Sequence, residues 1–344
     1  MKNGLFIFCF TIILLTSAHA QTLHQILPYS FQFYQKFDRD SYSPNTNTHT
    51  SLKPCFLDDS LSGESVRSAL SFGIDTTKKN WFIRKIFNEH LIEVNKEDYT
   101  FYGDILPDLS VGRDINGHKN TWLNSRGYQF GGTVGSKFSF YTSGYENQGR
   151  FPEYYNKYVN AIDVIPGQSY DRSKGDKEMK DWSYVTALLS YTPVKYVNIT
   201  AGQDKTFIGD GYRSMLLSDY ASNYPFVKLT ANLGNVQYMS MWASLQDPSA
   251  KRFSYDAGYR KKGGVFHYLD WNVNKRLSIG FFDAIIWGEY DDEGNRRGFD
   301  WAYANPLIFL RPLEAMSGSP DNAVLGLTGK YELLDKLSLY GQFL

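Results

Sequence analysis

From Tyr99 onward, apolar and polar residues alternate with a period of two. Tyr128, Phe130, Gly132 and Val134 lie on one side of a segment whose other side is Gly127, Gln129, Gly131 and Thr133. After a short turn, Phe138, Phe140 and Thr142 oppose Ser139, Tyr141 and Ser143. Later, Phe253, Tyr255, Ala257 and Tyr259 oppose Ser254, Asp256, Gly258 and Arg260. Leu325, Leu327, Gly329 and Tyr331 repeat the pattern, as do Leu337, Leu339 and Phe343. Side chains of a strand point to alternate faces, so this period predicts half-buried β-strands. Further strands are predicted at residues 182–191, 196–203, 236–245, 264–273 and 277–288. The set comes to about a dozen strands of roughly ten residues, the length a tilted strand needs to cross a bilayer.

Ahead of Tyr99 the pattern is mixed. Ile83, Ile86, Phe87, Leu91 and Val94 recur at helical spacing, which predicts a helix over residues 82–95. A shorter helix is predicted at 64–72, with Val66, Ala69 and Leu70 on one side, and a polar loop at 42–53. The first 20 residues read as an export signal: Lys2, an apolar core over 5–15 and an Ala18-His19-Ala20 cleavage site. That core is too short to span a bilayer. The chain thus divides into a signal peptide (1–20), an N-terminal loop and helical subdomain (21–98), which the family resemblance given below places in the periplasm, and a β-structure (99–344).

Composition narrows the class. Charges balance at 36 basic and 36 acidic residues, which gives no reason to expect a nucleic-acid partner. Removing the signal takes Cys9 and leaves only Cys55, so no internal disulfide can form. Aromatics reach 17%, mostly Tyr and Phe, yet the mean hydropathy is negative. No stretch has 18 consecutive apolar residues. A secreted β-sandwich or jelly roll shares these features with an outer-membrane β-barrel. Short connections at 135–136 and 232–235 alternate with long polar ones at 146–181 and 291–300, which favours the barrel. Tyr184, Tyr191, Tyr196, Trp242, Tyr259, Trp271, Trp287, Tyr331 and Tyr340 are then expected to form two interfacial girdles.

Candidate chemistry is sparse. His19, His24, His49, His90, His118 and His267 have no metal-ligand spacing, and no nucleotide-binding or nucleophile-elbow motif is present. No metal or cofactor is expected. The carboxylates Asp291, Asp292 and Glu293 read as a solvated loop rather than an acid/base pair. The segment 202–219 stands apart because Gly209 and Gly211 interrupt the alternation. It brings Asp210, Arg213 and Asp219 near the hydroxyls of Ser214 and Ser218. Inside a barrel these five residues are expected to form a network that holds a lumenal loop or a sugar. The structural alternative has Arg213 satisfied by the two aspartates, fixing a constriction.

The run from Gly209 to Asp219 with Tyr224-Pro225-Phe226 resembles the capsule-assembly Wzi-like family, and more closely its gliding-motility RemB-like branch. Asn305-Pro306 and the residues to Pro312, followed by Asp321-Asn322, resemble that family's second motif, and residues 82–97 its early helix. The resemblance covers the chain from about Trp81. It implies an all-β, transmembrane antiparallel barrel in the outer membrane, with Gly209, Gly211, Pro225, Asn305 and Pro306 in structural roles. It also implies a non-enzymatic protein that binds exopolysaccharide or capsule chains and supports capsule assembly, adhesion or gliding. Outer-membrane lipid and cell-surface motility or adhesion proteins are the further expected partners. Family barrels have more strands, so the wall is expected to continue beyond Leu344. Two other readings compete: a porin with Asp210, Arg213 and Asp219 at its constriction, and a membrane-embedded hydrolase using His118 or His267.

Overall fold

A computed structural model describes residues 27–43, 48–54, 74–75, 77, 80–173, 177–247, 260–290, 295–299, 301–307, 321–334 and 337–344. The segment read as a signal peptide, Cys55, the helix expected at 64–72, the strand expected at 253–259, and Asp291 to Glu293 lie outside these residues. The segment from Asn305 that resembles a family motif is described only as far as Leu307, and its sequel from Asp321.

The strands are β1 (Leu52–Lys53), β2 (Ile92–Asn95), β3 (Tyr99–Asp114), β4 (Lys119–Val134), β5 (Phe138–Arg150), β6 (Val164–Ile165), β7 (Ser169–Tyr170) and β8 (Lys180–Val194). They continue as β9 (Val197–Asp204), β10 (Phe207–Ile208), β11 (Tyr224–Leu233), β12 (Val236–Asp247), β13 (Arg260–Asn272), β14 (Leu277–Gly288), β15 (Asn322–Leu334) and β16 (Leu337–Phe343). Twelve of them form one antiparallel sheet in the order β16-β15-β14-β13-β12-β11-β9-β8-β5-β4-β3-β2. Among these twelve, each strand pairs with the one before and the one after it in chain order, β6, β7 and β10 being set aside from the sheet, and the end strands do not pair with each other. The sheet is open. No helix among the described residues is long and apolar enough to cross a membrane, which leaves crossing by strands untouched.

Register separates two faces. On the inner face, Leu188, Phe226, Met239, Met241, Phe266, Tyr268 and Phe282 form a buried cluster with Leu52, Ile208 and Tyr224. Leu52 and Lys53 pair with Ile208 and Phe207, so β1 and β10 form a small ribbon over that cluster. Phe207 also stacks on Tyr29, at 5.4 Å between centroids, which brings residues 27–34 onto the same side. The outer face carries exposed apolar residues, with the exposed Arg126 and Glu146 on the same side. Ile105, Leu109, Val111, Leu189 and Val227 are all exposed there.

Two expectations change. The helix expected over 82–95 ends early: it spans Trp81–Phe87, and the chain then becomes β2. Asn80 caps its start by accepting from the Phe82 N–H. Asp104 of β3 then captures the Leu91 N–H at 2.8 Å and the His90 ring at 2.7 Å, and Ile92 falls into register with Gly103. The sheet edge outcompetes a helical pattern whose apolar residues Trp81, Phe82 and Phe87 stay largely exposed. The polar connection expected at 146–181 is also more structured. It holds the end of β5, the helix Glu153–Ile162 with Val159 buried, and the β6–β7 hairpin.

Candidate binding cleft

The 205–219 loop divides the inner face. Toward β15 it carries Asp210, whose carboxylate accepts from Tyr42 Oη at 3.1 Å, Thr50 Oγ1 at 2.5 Å and Ser51 Oγ at 2.6 Å. Lys330 of β15 donates to Thr50 Oγ1 at 2.7 Å, and Lys53 to the Gly209 carbonyl at 3.1 Å. Burial by itself would raise the Asp210 carboxyl. The charges of Lys330 and Lys53 and the two hydroxyl bonds outweigh it and hold the group below its ordinary value. Asp210 is thus the hub that fastens the N-terminal segment to the loop.

Gly209 and Gly211 serve the same packing. Gly209 has φ +148°, and a Cβ there would lie 2.5 Å from Gln342 Nε2. A Cβ at Gly211 would meet the Tyr340 ring at 2.5 Å. Only glycine lets β16 approach this closely. Ser214 donates to the Ile208 carbonyl at 2.5 Å and accepts from Leu216 N at 3.0 Å, so it ties a turn. Ser218 bonds Asp219 Oδ1 at 3.4 Å and accepts from Tyr220 N at 3.3 Å. Pro225 is the second residue of β11, opposite Gln203. Asn305 and Pro306 lie elsewhere, against the outer face, where Asn305 Oδ1 accepts from Leu307 N and the Pro306 carbonyl accepts from Tyr238.

The five-residue network expected around Arg213 is not one network. Asp210 gives its acceptors to the hub, while Arg213 turns away with 58% of its side chain exposed. Its guanidinium lies 3.8 Å from Asp219 and 4.4 Å above the Tyr212 ring. Arg213 and Asp219 instead line a cleft of about 780 Å³ on the other half of the inner face.

Strands β4, β5 and β8 form one wall of this cleft through Ser125, Tyr145, Asn147, Trp182 and Tyr184. Tyr29, Phe31, Tyr212 and Tyr220 face them. Trp182 is fixed by Phe151 at 5.5 Å and by its indole N–H bond to Gln168 at 2.5 Å. Lys205 sits 5.7 Å over the Tyr184 ring and donates to the Gly167 carbonyl and to the Asp219 carbonyl, the latter at 3.1 Å. Burial lowers the Lys205 ammonium, against the opposing pull of Asp219 and Asp204. The cleft therefore offers flat aromatic faces, amide groups, one exposed guanidinium and the carboxylates of Asp108 and Asp219.

The sequence pattern placed Tyr184 in a girdle and did not bring Tyr145, Trp182 or Lys205 to a site. Their period-two phase was the available signal, because Trp182 and Tyr184 share the face of the buried Leu188. Of the other girdle rings, Tyr191, Tyr196, Trp271 and Tyr331 are exposed near the short-turn end. Trp242 and Trp287 are covered instead, packed with Val265, Ile285 and Tyr303. Tyr340 lies over Gly211 on the inner face, and Tyr259 falls outside the described residues. A scan against protein-family models finds no match to this chain, and a search of curated proteins finds none either.

Proposed function

We propose that the chain forms the wall of a Wzi-like, RemB-related outer-membrane barrel and binds a surface polysaccharide in the cleft of its inner face. The exposed apolar outer face and the Tyr and Trp rings along the short-turn end support the wall reading. An isolated sheet in lipid cannot leave backbone groups unpaired, so closure has to satisfy the outer edges of β2 and β16. Export to the outer membrane would follow from the leader at 1–20.

The observation that carries the binding reading is the cleft itself. Sugar rings present apolar faces to aromatic side chains and hydroxyls to Asn147, Asp219 and Arg213. Capsule retention, adhesion or gliding are the roles such a surface lectin serves. The protein does this without chemistry at the cleft. The hub and ribbon fill the β9–β15 half of the inner face, which opposes a freely conducting pore.

The test is refolding of the full chain in detergent, with heat-modifiable gel migration as the sign of a closed barrel. Tryptophan fluorescence is then followed with neutral and uronate-containing hexasaccharides. Saturable quenching by at least one, reduced by Tyr184→Ala, is expected. No saturable binding by any of them, together with porin-like conductance in planar bilayers, would overturn the reading.

A further inference from the structure

Facing the wall of β4, β5 and β8, the cleft is lined by pieces of chain that lie far apart in sequence. The β6–β7 hairpin brings Gly167 and Gln168, and the end of the loop after β10 brings Asp219 and Tyr220. The N-terminal segment adds Tyr29 and Phe31. None of these residues belongs to a strand of the twelve-stranded sheet. Backbone ladders therefore do not set how far they stand from the wall.

One side chain joins the first two pieces. Lys205 follows the last residue of β9, and its ammonium donates to the Gly167 carbonyl and to the Asp219 carbonyl, the latter at 3.1 Å. It rests 5.7 Å over the ring of Tyr184, which belongs to the wall. The convergence is tight: a Cβ on Gly167 would lie 3.4 Å from both Lys205 Nζ and the Asp219 carbonyl oxygen. Around this point the Gly167 N–H donates to the Tyr220 carbonyl at 2.9 Å. The Tyr220 hydroxyl bonds that of Tyr158, on the helix Glu153–Ile162. The preceding residue, Asp204, seats the third piece by accepting from the Tyr29 N–H at 3.2 Å.

A buried ammonium is costly unless its donors are used. Lys205 is 9% exposed, and it spends two donors on neutral carbonyls of two separate segments. An ammonium has three donors spread about one atom, so it can bridge acceptors on different segments, which a single backbone N–H does less readily. With two donors used and the Tyr184 ring beside it, little is left for a sugar. Lys205 acts on the cleft through the segments it holds.

We propose that Lys205 is the positioning residue of the cleft: it fixes the hairpin and the loop against the wall, so that ligand affinity depends on a side chain the ligand does not use. Walls held in place before binding spare the ordering cost that a ligand would otherwise meet. The ligand's being a polysaccharide rests on the glycan reading above, whereas the holding of the two segments does not.

The test compares the full chain with its Lys205→Ala variant, both refolded in detergent, through two readouts. Brief photo-oxidation should join Tyr158 and Tyr220 as an internal dityrosine in wild type and not in Tyr158→Phe. Its yield should fall about threefold or more in Lys205→Ala. Hexasaccharide binding, followed by tryptophan fluorescence, should weaken about tenfold while heat-modifiable migration stays unchanged. Millimolar n-butylammonium, which returns an ammonium to the vacated space, should restore both readouts, and n-butanol should restore neither. Unchanged cross-linking and affinity in Lys205→Ala overturn the proposal. So does a failure of n-butylammonium to rescue, or an equal rescue by n-butanol, since filling space would then suffice. If Lys205→Ala loses the folded form, Lys205→Gln is read by the same two measures. Loss of the folded form in both variants overturns the proposal, because Lys205 would then hold the sheet and not the cleft. Absence of hexasaccharide binding in wild type, with cross-linking still dependent on Lys205, would sink the glycan reading alone.

Discussion

The two halves of the inner face use the same residue types to opposite ends. On the β9–β15 side, Asp210 accepts from three hydroxyls, with Lys330 and Lys53 bonded to the same assembly. On the β3–β8 side, Arg213 makes a 3.3 Å bond to the Tyr212 hydroxyl and a long contact with Asp219 but stays mostly exposed, and Tyr184 faces an open cleft. Saturated polar groups fasten chain segments together, whereas polar groups with spare capacity are those a ligand can use. The difference lies in partners, not in composition.

The largest effect should come from breaking the saturated side. Asp210→Ala removes the acceptor of three hydroxyls and leaves two nearby ammonium groups uncompensated. We expect a loss of about 3–5 kcal/mol of unfolding free energy, measured by urea titration of the detergent-solubilised chain. An unchanged midpoint would show that the hub fastens nothing. The pH dependence follows from the same group. A carboxyl held below its ordinary value adds stability that is fully present above about pH 4, and that is lost as pH falls further through the native value. The Asp210→Asn chain should therefore lose less stability between pH 4 and lower pH than wild type does. Parallel acid curves for the two chains would refute the assignment.

Gly211→Ala tests the packing beneath that hub, since its Cβ would enter the Tyr340 ring at 2.5 Å. A destabilisation of about 1–3 kcal/mol is expected, and Tyr340→Ala in the same chain should recover part of it. On the open side the effects move from stability to affinity. Tyr184→Ala should weaken hexasaccharide binding about tenfold. Arg213→Ala should shift unfolding by less than about 0.5 kcal/mol, because the side chain is mostly exposed, while still reducing affinity. A large stability loss in Arg213→Ala would restore the constriction that the sequence pattern suggested.

Much of the sheet was legible because period-two alternation is a local property. The strand expected at 277–288 is found at those limits, and 236–245 extends only to Asp247. The helix at 82–95 failed because its last residues also read as a β-branched strand, and Asp104, distant in sequence, decides between the two. The candidate site was legible only in part. Sequence proximity put Asp210 and Arg213 together, but a loop of this length can point neighbours to opposite halves of the face. Alternation identified one apolar face without saying which part of it another segment would cover, so Trp242 and Trp287 were expected in a girdle.

The β1–β10 ribbon sets an order of events. Every neighbouring pair in the large sheet is also adjacent along that sheet's path, so the wall can grow strand by strand from local contacts. Leu52 meets Ile208 across more than a hundred and fifty residues. That closure has nothing to close upon until the 205–219 loop has formed, and its entropy cost is large. The N-terminal segment, although made first, is therefore among the last to settle. A chain interrupted before that step would have its wall but not its filling.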